Sequence, residues 1–142
     1  MSPLLLDTGP IVASLDHSDP YHQWVMQRFS AIHGRPLTTG AVITEAMFFL
    51  QDIRDGSRNL VTLVEALRLE IWDCFSTSTL RSAERLMATY DDAPMDFADA
   101  TLVLAAEHYS VRDIVTLDER GFRTFRYGRN KSFRLLLQDA PR

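Results

Sequence analysis

The sequence predicts an α/β protein: a three-layer α/β/α sandwich around a mostly parallel sheet of about five strands. Three observations carry that expectation. Short apolar runs alternate with helix-period segments along the chain, and parallel strands need crossovers long enough to hold a helix. Two of those runs, residues 3–6 and 113–117, end on an acid, at Asp7 and Asp118. The third is bulk composition: 142 residues with 46% hydrophobic and 24% charged side chains match a soluble domain that buries roughly two thirds of its unfolded surface. Disordered, collagen-like and coiled-coil classes are excluded. No repeat or low-complexity linker divides the chain, so residues 1–142 read as one domain with a basic C-terminal segment over 120–138.

The elements follow in order. Residues 3–6 form a buried strand, Thr8-Gly9-Pro10 a turn, and Ile11 to Leu15 a short helix. Asp19-Pro20 supplies a cap with proline at the first helical position, and Trp24, Val25, Phe29 and Ile32 recur at helical spacing to about His33. A short strand over 35–38 leads to Thr39, which caps a helix with the apolar set Val42, Ile43, Ala46, Met47, Phe49 and Leu50. Ser57 opens the next helix, bearing Leu60, Val61, Leu63, Val64 and Leu67. Residues 69–75 alternate as a strand, and the cluster Ser76 to Ser78 caps a helix with Leu80, Ala83, Met87 and Tyr90. From about Asp96 to His108 runs a helix whose stretch Leu102 to Ala106 is apolar nearly all round, as burial on several sides requires. Residues 113–117 are a strand, and 122–127 a last, shorter one.

Composition narrows the function classes. The longest apolar stretches are far too short to cross a bilayer, and the N-terminus lacks a secretory pattern, so a cytoplasmic protein without a membrane partner is expected. Cys74 stands alone, which leaves no intrachain disulfide and no thiolate zinc site, and marks it as a small core residue. Net charge is −4, yet residues 120–138 hold six of the fifteen basic residues and none of the nineteen acids. Fourteen of the fifteen are arginine, which suits bidentate contacts to phosphate or carboxylate.

The acids carry the chemistry. In doubly wound sheets the functional crevice lies at the carboxyl ends of the strands, where Asp7 and Asp118 are expected. Glu45 is a charge on an otherwise apolar helix face, and Asp96 and Asp99, three apart, share a face near a helix N-terminus. Carboxylates converging there without a lysine cannot all stay ionised and desolvated, so a cation must bind, and oxygen-only ligands select Mg²⁺ or Mn²⁺. A metal pair in such a site stabilises the attacking and leaving oxygens of phosphodiester cleavage. A phosphoacceptor receiver needs an acid pair at the first strand and a lysine after the last; Leu6 precedes Asp7 and the only lysine is Lys131. A haloacid-dehalogenase-type phosphatase needs a second acid where Gly9 stands.

Leu5-Leu6-Asp7-Thr8-Gly9-Pro10-Ile11-Val12-Ala13, Thr44-Glu45-Ala46, Met95-Asp96-Phe97-Ala98-Asp99-Ala100 and Val115-Thr116-Leu117-Asp118 occur in the order and spacing of PIN-domain ribonucleases. Over about residues 4–122 the chain resembles the VapC-type toxins of toxin–antitoxin pairs. The resemblance implies a PIN-like fold and a Mg²⁺- or Mn²⁺-dependent endoribonuclease that cleaves single-stranded RNA. It also implies a homodimer, and inhibition by a small antitoxin whose tail enters the acidic crevice. Residue by residue, Asp7, Glu45, Asp99 and Asp118 match the four family acids, expected as catalytic residues and metal ligands. Asp96 is a further acid that some members show, expected as an additional ligand. The pattern departs at Gly121, where many relatives carry an acid before the phenylalanine.

The hydroxyls of Thr8 and Thr116 are placed to support the acids or a bound water. Arg120, Arg123, Arg126, Arg129 and Lys131 are the expected RNA contacts, with Phe125, Tyr127 and Phe133 between them as candidates for stacking on unpaired bases. A catalytically silent PIN-like module that binds RNA or a protein is the competing expectation, because intact acids are necessary and insufficient.

Overall fold

The computed structural model describes residues 1–141. In chain order its first half contains β1 (Pro3–Leu6), α1 (Thr8–Leu15), α2 (His22–Phe29), β2 (Arg35–Thr39), α3 (Gly40–Leu50) and α4 (Gly56–Leu67). Then follow β3 (Glu70–Trp72), α5 (Thr77–Thr89), α6 (Phe97–Tyr109), β4 (Asp113–Val115), α7 (Glu119–Thr124), β5 (Arg126–Tyr127), β6 (Lys131–Ser132) and β7 (Arg134–Leu135). Five strands form one sheet in the order β3-β2-β1-β4-β7, every neighbouring pair parallel. Helices flank it, as the alternation of elements predicts.

Register fixes what each face presents. Leu5 pairs with Leu37 on one side and Ile114 on the other, and all three are fully buried. Such a side chain contributes about 1.5–3 kcal/mol by leaving water. Helix α6 packs on β2 and carries buried Ala98, Ala100, Leu102, Val103, Ala105 and Ala106. It is a central helix, with α5 outside it. Leu4, Leu6 and Val115, also buried, alternate onto the opposite face. Cys74 is a buried free thiol, as expected.

The departures have local causes. The Asp7 side chain accepts the Thr8 N–H at 2.7 Å, so Thr8-Gly9-Pro10 is the first turn of α1 instead of a separate turn. Proline is tolerated there because its missing N–H has no helical partner. Helix α2 starts at His22 because Asp19 turns back on the Tyr21 N–H at 2.8 Å. Phe49, expected on the buried face of α3, is 54% exposed.

The largest correction concerns the C-terminal part. Residues 122–127 do not form a fifth strand: Asp118 accepts the Gly121 N–H at 3.0 Å and starts the short helix α7. Strands β5 and β6 then form a separate antiparallel hairpin, turned by Gly128 and Asn130 at φ 55° and 60°. The fifth strand is β7, inside the basic segment. Its Arg134 grips Asp113 of β4 with two hydrogen bonds of 2.7 Å. Phe125, Tyr127 and Phe133 are buried, with Phe122 and Phe125 edge-to-face at 5.2 Å and Phe122 and Phe133 at 5.3 Å. They serve as core and are not available to stack on RNA bases.

Candidate active site

The buried polar and charged residues are Asp7, Thr8, Thr38, Thr39, Thr101 and Thr116. Apart from Thr101 in α6, all follow or end β1, β2 and β4, so polarity enters the core at one place, the carboxyl end of the sheet. A core that is apolar elsewhere holds these groups only where each finds a partner or a task.

Asp7 sits at the centre, 7% exposed. Its Oδ2 accepts the Thr116 hydroxyl at 2.7 Å and its Oδ1 accepts the Thr8 N–H. Those bonds favour the carboxylate, but burial outweighs them, and the negative charges of Glu45 and Asp96 add to it. The group is pushed up to about 6. At the mouth of α6, Asp96 Oδ1 accepts the Asp99 N–H at 2.8 Å while Asp99 Oδ2 accepts the Asp96 N–H at 3.1 Å. This reciprocal cap fixes two acids on one helix end. Burial first, then the charges of Asp96 and Asp7, push Asp99 up to about 8.

Glu45 is half-buried on α3 and lines an open groove of about 530 Å³ with Asp96, Phe48, Phe49, Phe75 and Phe97. Asp7, Glu45, Asp96 and Asp99 are therefore coupled by charge. Asp118 is placed differently. It is exposed, its carboxylate caps α7, and it borders another cavity with Glu119, Arg120 and Asp139. Its link to the others runs through the Thr116 hydroxyl, which accepts the Asp118 N–H at 3.0 Å while donating to Asp7. A side chain at position 121 would collide with Asp118 Oδ2, which accounts for Gly121 in that loop.

The donor set suits a hard cation. Among the described residues, none of the ion pairs involves any of the five acids. The Thr8 hydroxyl oxygen beside Asp7 is buried without a hydrogen-bond partner. Also among the described residues, no three Asp, Glu, His or Cys side chains already stand in metal-ligating geometry. The acids press on one another electrostatically without forming a closed cage.

The basic segment is largely engaged in its own folding. Arg126 donates to the carbonyls of Arg123, Thr124 and Phe125 at 2.7, 3.1 and 3.0 Å, closing the end of α7. Arg123 pairs with Glu119 at 3.2 Å. Lys131 lies 6.0 Å from the centre of the Tyr127 ring. Arg120 and Arg129 are exposed.

Two buried threonines, Thr38 and Thr101, escaped sequence reasoning, and Thr39 was expected only as the cap of α3, which it is, its Oγ1 accepting the Val42 N–H at 3.3 Å. Thr38 donates to the Leu6 carbonyl at 2.7 Å, tying β2 to β1 just before Asp7. Thr39 and Thr101 bond to each other at 2.8 Å. A hydroxyl pair closing a strand and a hydroxyl on an otherwise apolar helix were the available signals.

No family model matches the chain. It is 26% identical over 125 residues to ribonuclease VapC26 of Mycobacterium tuberculosis, covering 87% of this chain and 92% of that protein. The crystal structure of Mycobacterium tuberculosis VapC20, a sarcin-ricin loop cleaving toxin, superposes with a TM-score of 0.69 at 13% identity. That match covers 78% of this chain and 86% of the other.

Proposed function

We propose that this chain, a VapC-type PIN-domain protein, is the endoribonuclease toxin of a toxin–antitoxin pair and cuts single-stranded RNA with Mg²⁺ or Mn²⁺. The observation that carries the reading is the charge-coupled pair of buried Asp7 and half-buried Asp99, both held above the usual carboxylate range with no cationic side chain paired to them. A divalent ion would be held by Asp7, Glu45 and Asp99, with Asp96 beside them and Asp118 joining through the loop after β4. When bound, it polarises the scissile phosphate and activates water near neutral pH.

The chain's own residues supply the orientation. Thr116 and the Thr8 N–H hold both oxygens of Asp7, so that carboxylate cannot rotate away from the crevice. The reciprocal cap does the same for Asp96 and Asp99. The Thr8 hydroxyl, with no protein partner, is free to hold a water molecule or a phosphate oxygen. Arg120 and Arg129, exposed at the start of α7 and in the hairpin turn, are the side chains best placed to meet the phosphate backbone. A small antitoxin is the expected protein partner. The exposed rings of Phe48, Phe49 and Phe75 form an apolar face suited to pairing with a second copy.

Cleavage of an RNA panel that includes ribosomal RNA loops, transfer RNA and unstructured oligonucleotides tests the reading. Internal cuts that appear with Mn²⁺ or Mg²⁺ and disappear in EDTA are expected. RNA binding without cutting under any of these metals would overturn the enzymatic reading in favour of a silent binding module.

A further inference from the structure

We infer that the buried hydroxyl pair Thr39–Thr101 is a positioning device for the acids, locking the start of α3, which carries Glu45, to the start of α6, which carries Asp96 and Asp99. The inference rests on the proposed nuclease reading and goes beyond it by assigning residues that no acid motif includes. Both side chains are fully buried. The Val42 N–H donates to Thr39 Oγ1 at 3.3 Å, Thr39 and Thr101 meet at 2.8 Å, and Thr101 donates to the Ala98 carbonyl at 2.7 Å. Each hydroxyl has one proton, and Thr101 gives its own to a carbonyl that can only accept. Thr39 must therefore donate to Thr101. The bonds run in one direction, from the N-terminal turn of α3 to the first turn of α6.

Among the described residues this is the only side-chain hydrogen bond between the two helices or their caps. The remaining contacts between these helices are apolar packing, including fully buried Val42, Ala46 and Leu102, which carries no directional constraint. A valine pair would fill nearly the same space without burying two hydroxyls, so the polar pair adds little to stability but fixes a distance and a direction. Catalytic geometry is sensitive on that scale, since a displacement of about 1 Å costs roughly a hundredfold in rate. Thr101 lies two residues after Asp99 and Thr39 one residue before α3 begins, so strain at the pair is passed directly to the acids.

Thr101→Val, Thr39→Val and Thr101→Ser test the assignment through two readouts: the rise in Tm produced by Mn²⁺ and the steady-state cleavage of RNA. The valine variants should need at least about threefold more Mn²⁺ for half of the Tm rise and lose at least about tenfold in kcat, with KM for RNA within about twofold of the parent. Thr101→Ser, which keeps the hydroxyl, should restore both. If Thr101→Val does not fold, Thr101→Ala removes the same hydroxyl and carries the same comparison. A folded variant with lower Tm but the parent's Mn²⁺ requirement and kcat would overturn the positioning role and leave the nuclease reading standing. A parent that neither cuts RNA nor gains stability from Mn²⁺ would overturn both.

Discussion

Among the described residues Asp7 is the one buried carboxylate, and its environment is costly to maintain. Raising a buried carboxyl from its usual range to about 6 opposes the ionised form by on the order of 3 kcal/mol, taking about 1.4 kcal/mol per unit. The structure accepts that cost with two hydrogen bonds and no salt bridge. Asp7→Asn and Asp99→Asn should each lower kcat at least about a hundredfold, because on the proposed reading each removes charge that would hold the ion opposite the developing transition-state charge. Single-turnover cleavage at saturating metal measures this, and full activity in both variants would refute the assignment. Asp96→Asn should cost less than Asp99→Asn, since Asp96 is exposed while Asp99 is pressed by both burial and charge. The acids were legible in the sequence because a carboxylate after a hydrophobic run is a local pattern. The Thr39–Thr101 contact was not, because its partners are 62 residues apart and threonine is an ordinary residue in either place.

At the scale of elements, legibility follows length. Helix α6 was readable because thirteen residues carry its apolar pattern and its Asp96 cap announces the start. The two-residue strand β7 was not, because it is shorter than any period and sits among arginines whose charge suggests a tail. Its place is set by tertiary contacts: the fork of Arg134 on Asp113 and the aromatic cluster around Phe122. That changes what the arginines are expected to do. Arg126→Ala should destabilise the fold by about 1–3 kcal/mol, because it removes three carbonyl contacts at the end of α7. Arg120→Ala with Arg129→Ala should instead leave the denaturation midpoint nearly unchanged and flatten the dependence of RNA affinity on salt. Chemical denaturation and salt-titrated binding separate the two; a reversed pattern would show that Arg126 is the RNA contact and the exposed pair is not.

For the whole molecule, a parallel sheet gathers polar groups at one end and leaves an aromatic face beside them. Phe48 and Phe49, 65% and 54% exposed, are large apolar surfaces that a solitary chain gains nothing by displaying. If the proposed pairing uses this face, the parent should scatter light as two copies and the Phe48→Ser, Phe49→Ser variant as one; a parent that scatters as one copy, or a variant of unchanged mass, would refute it. The central claim, that the acids form a crevice completed by a divalent cation, is tested most directly by stability against pH with and without metal. Burial and the neighbouring carboxylates push Asp7 up to about 6 and Asp99 up to about 8 in the folded state, above the usual carboxylate value. Their protonated forms thus favour folding at low pH, and that stability is lost as pH rises through 6 and then 8. In EDTA the Tm of the parent should fall over that window, Asp99→Asn should melt higher than the parent at pH 8, and Mn²⁺ should raise the parent's Tm by more than it raises the variant's. A parent whose Tm does not respond to Mn²⁺, with an Asp99→Asn variant that melts lower in EDTA at pH 8, would mean that Asp99 is only a helix cap and would contradict the account.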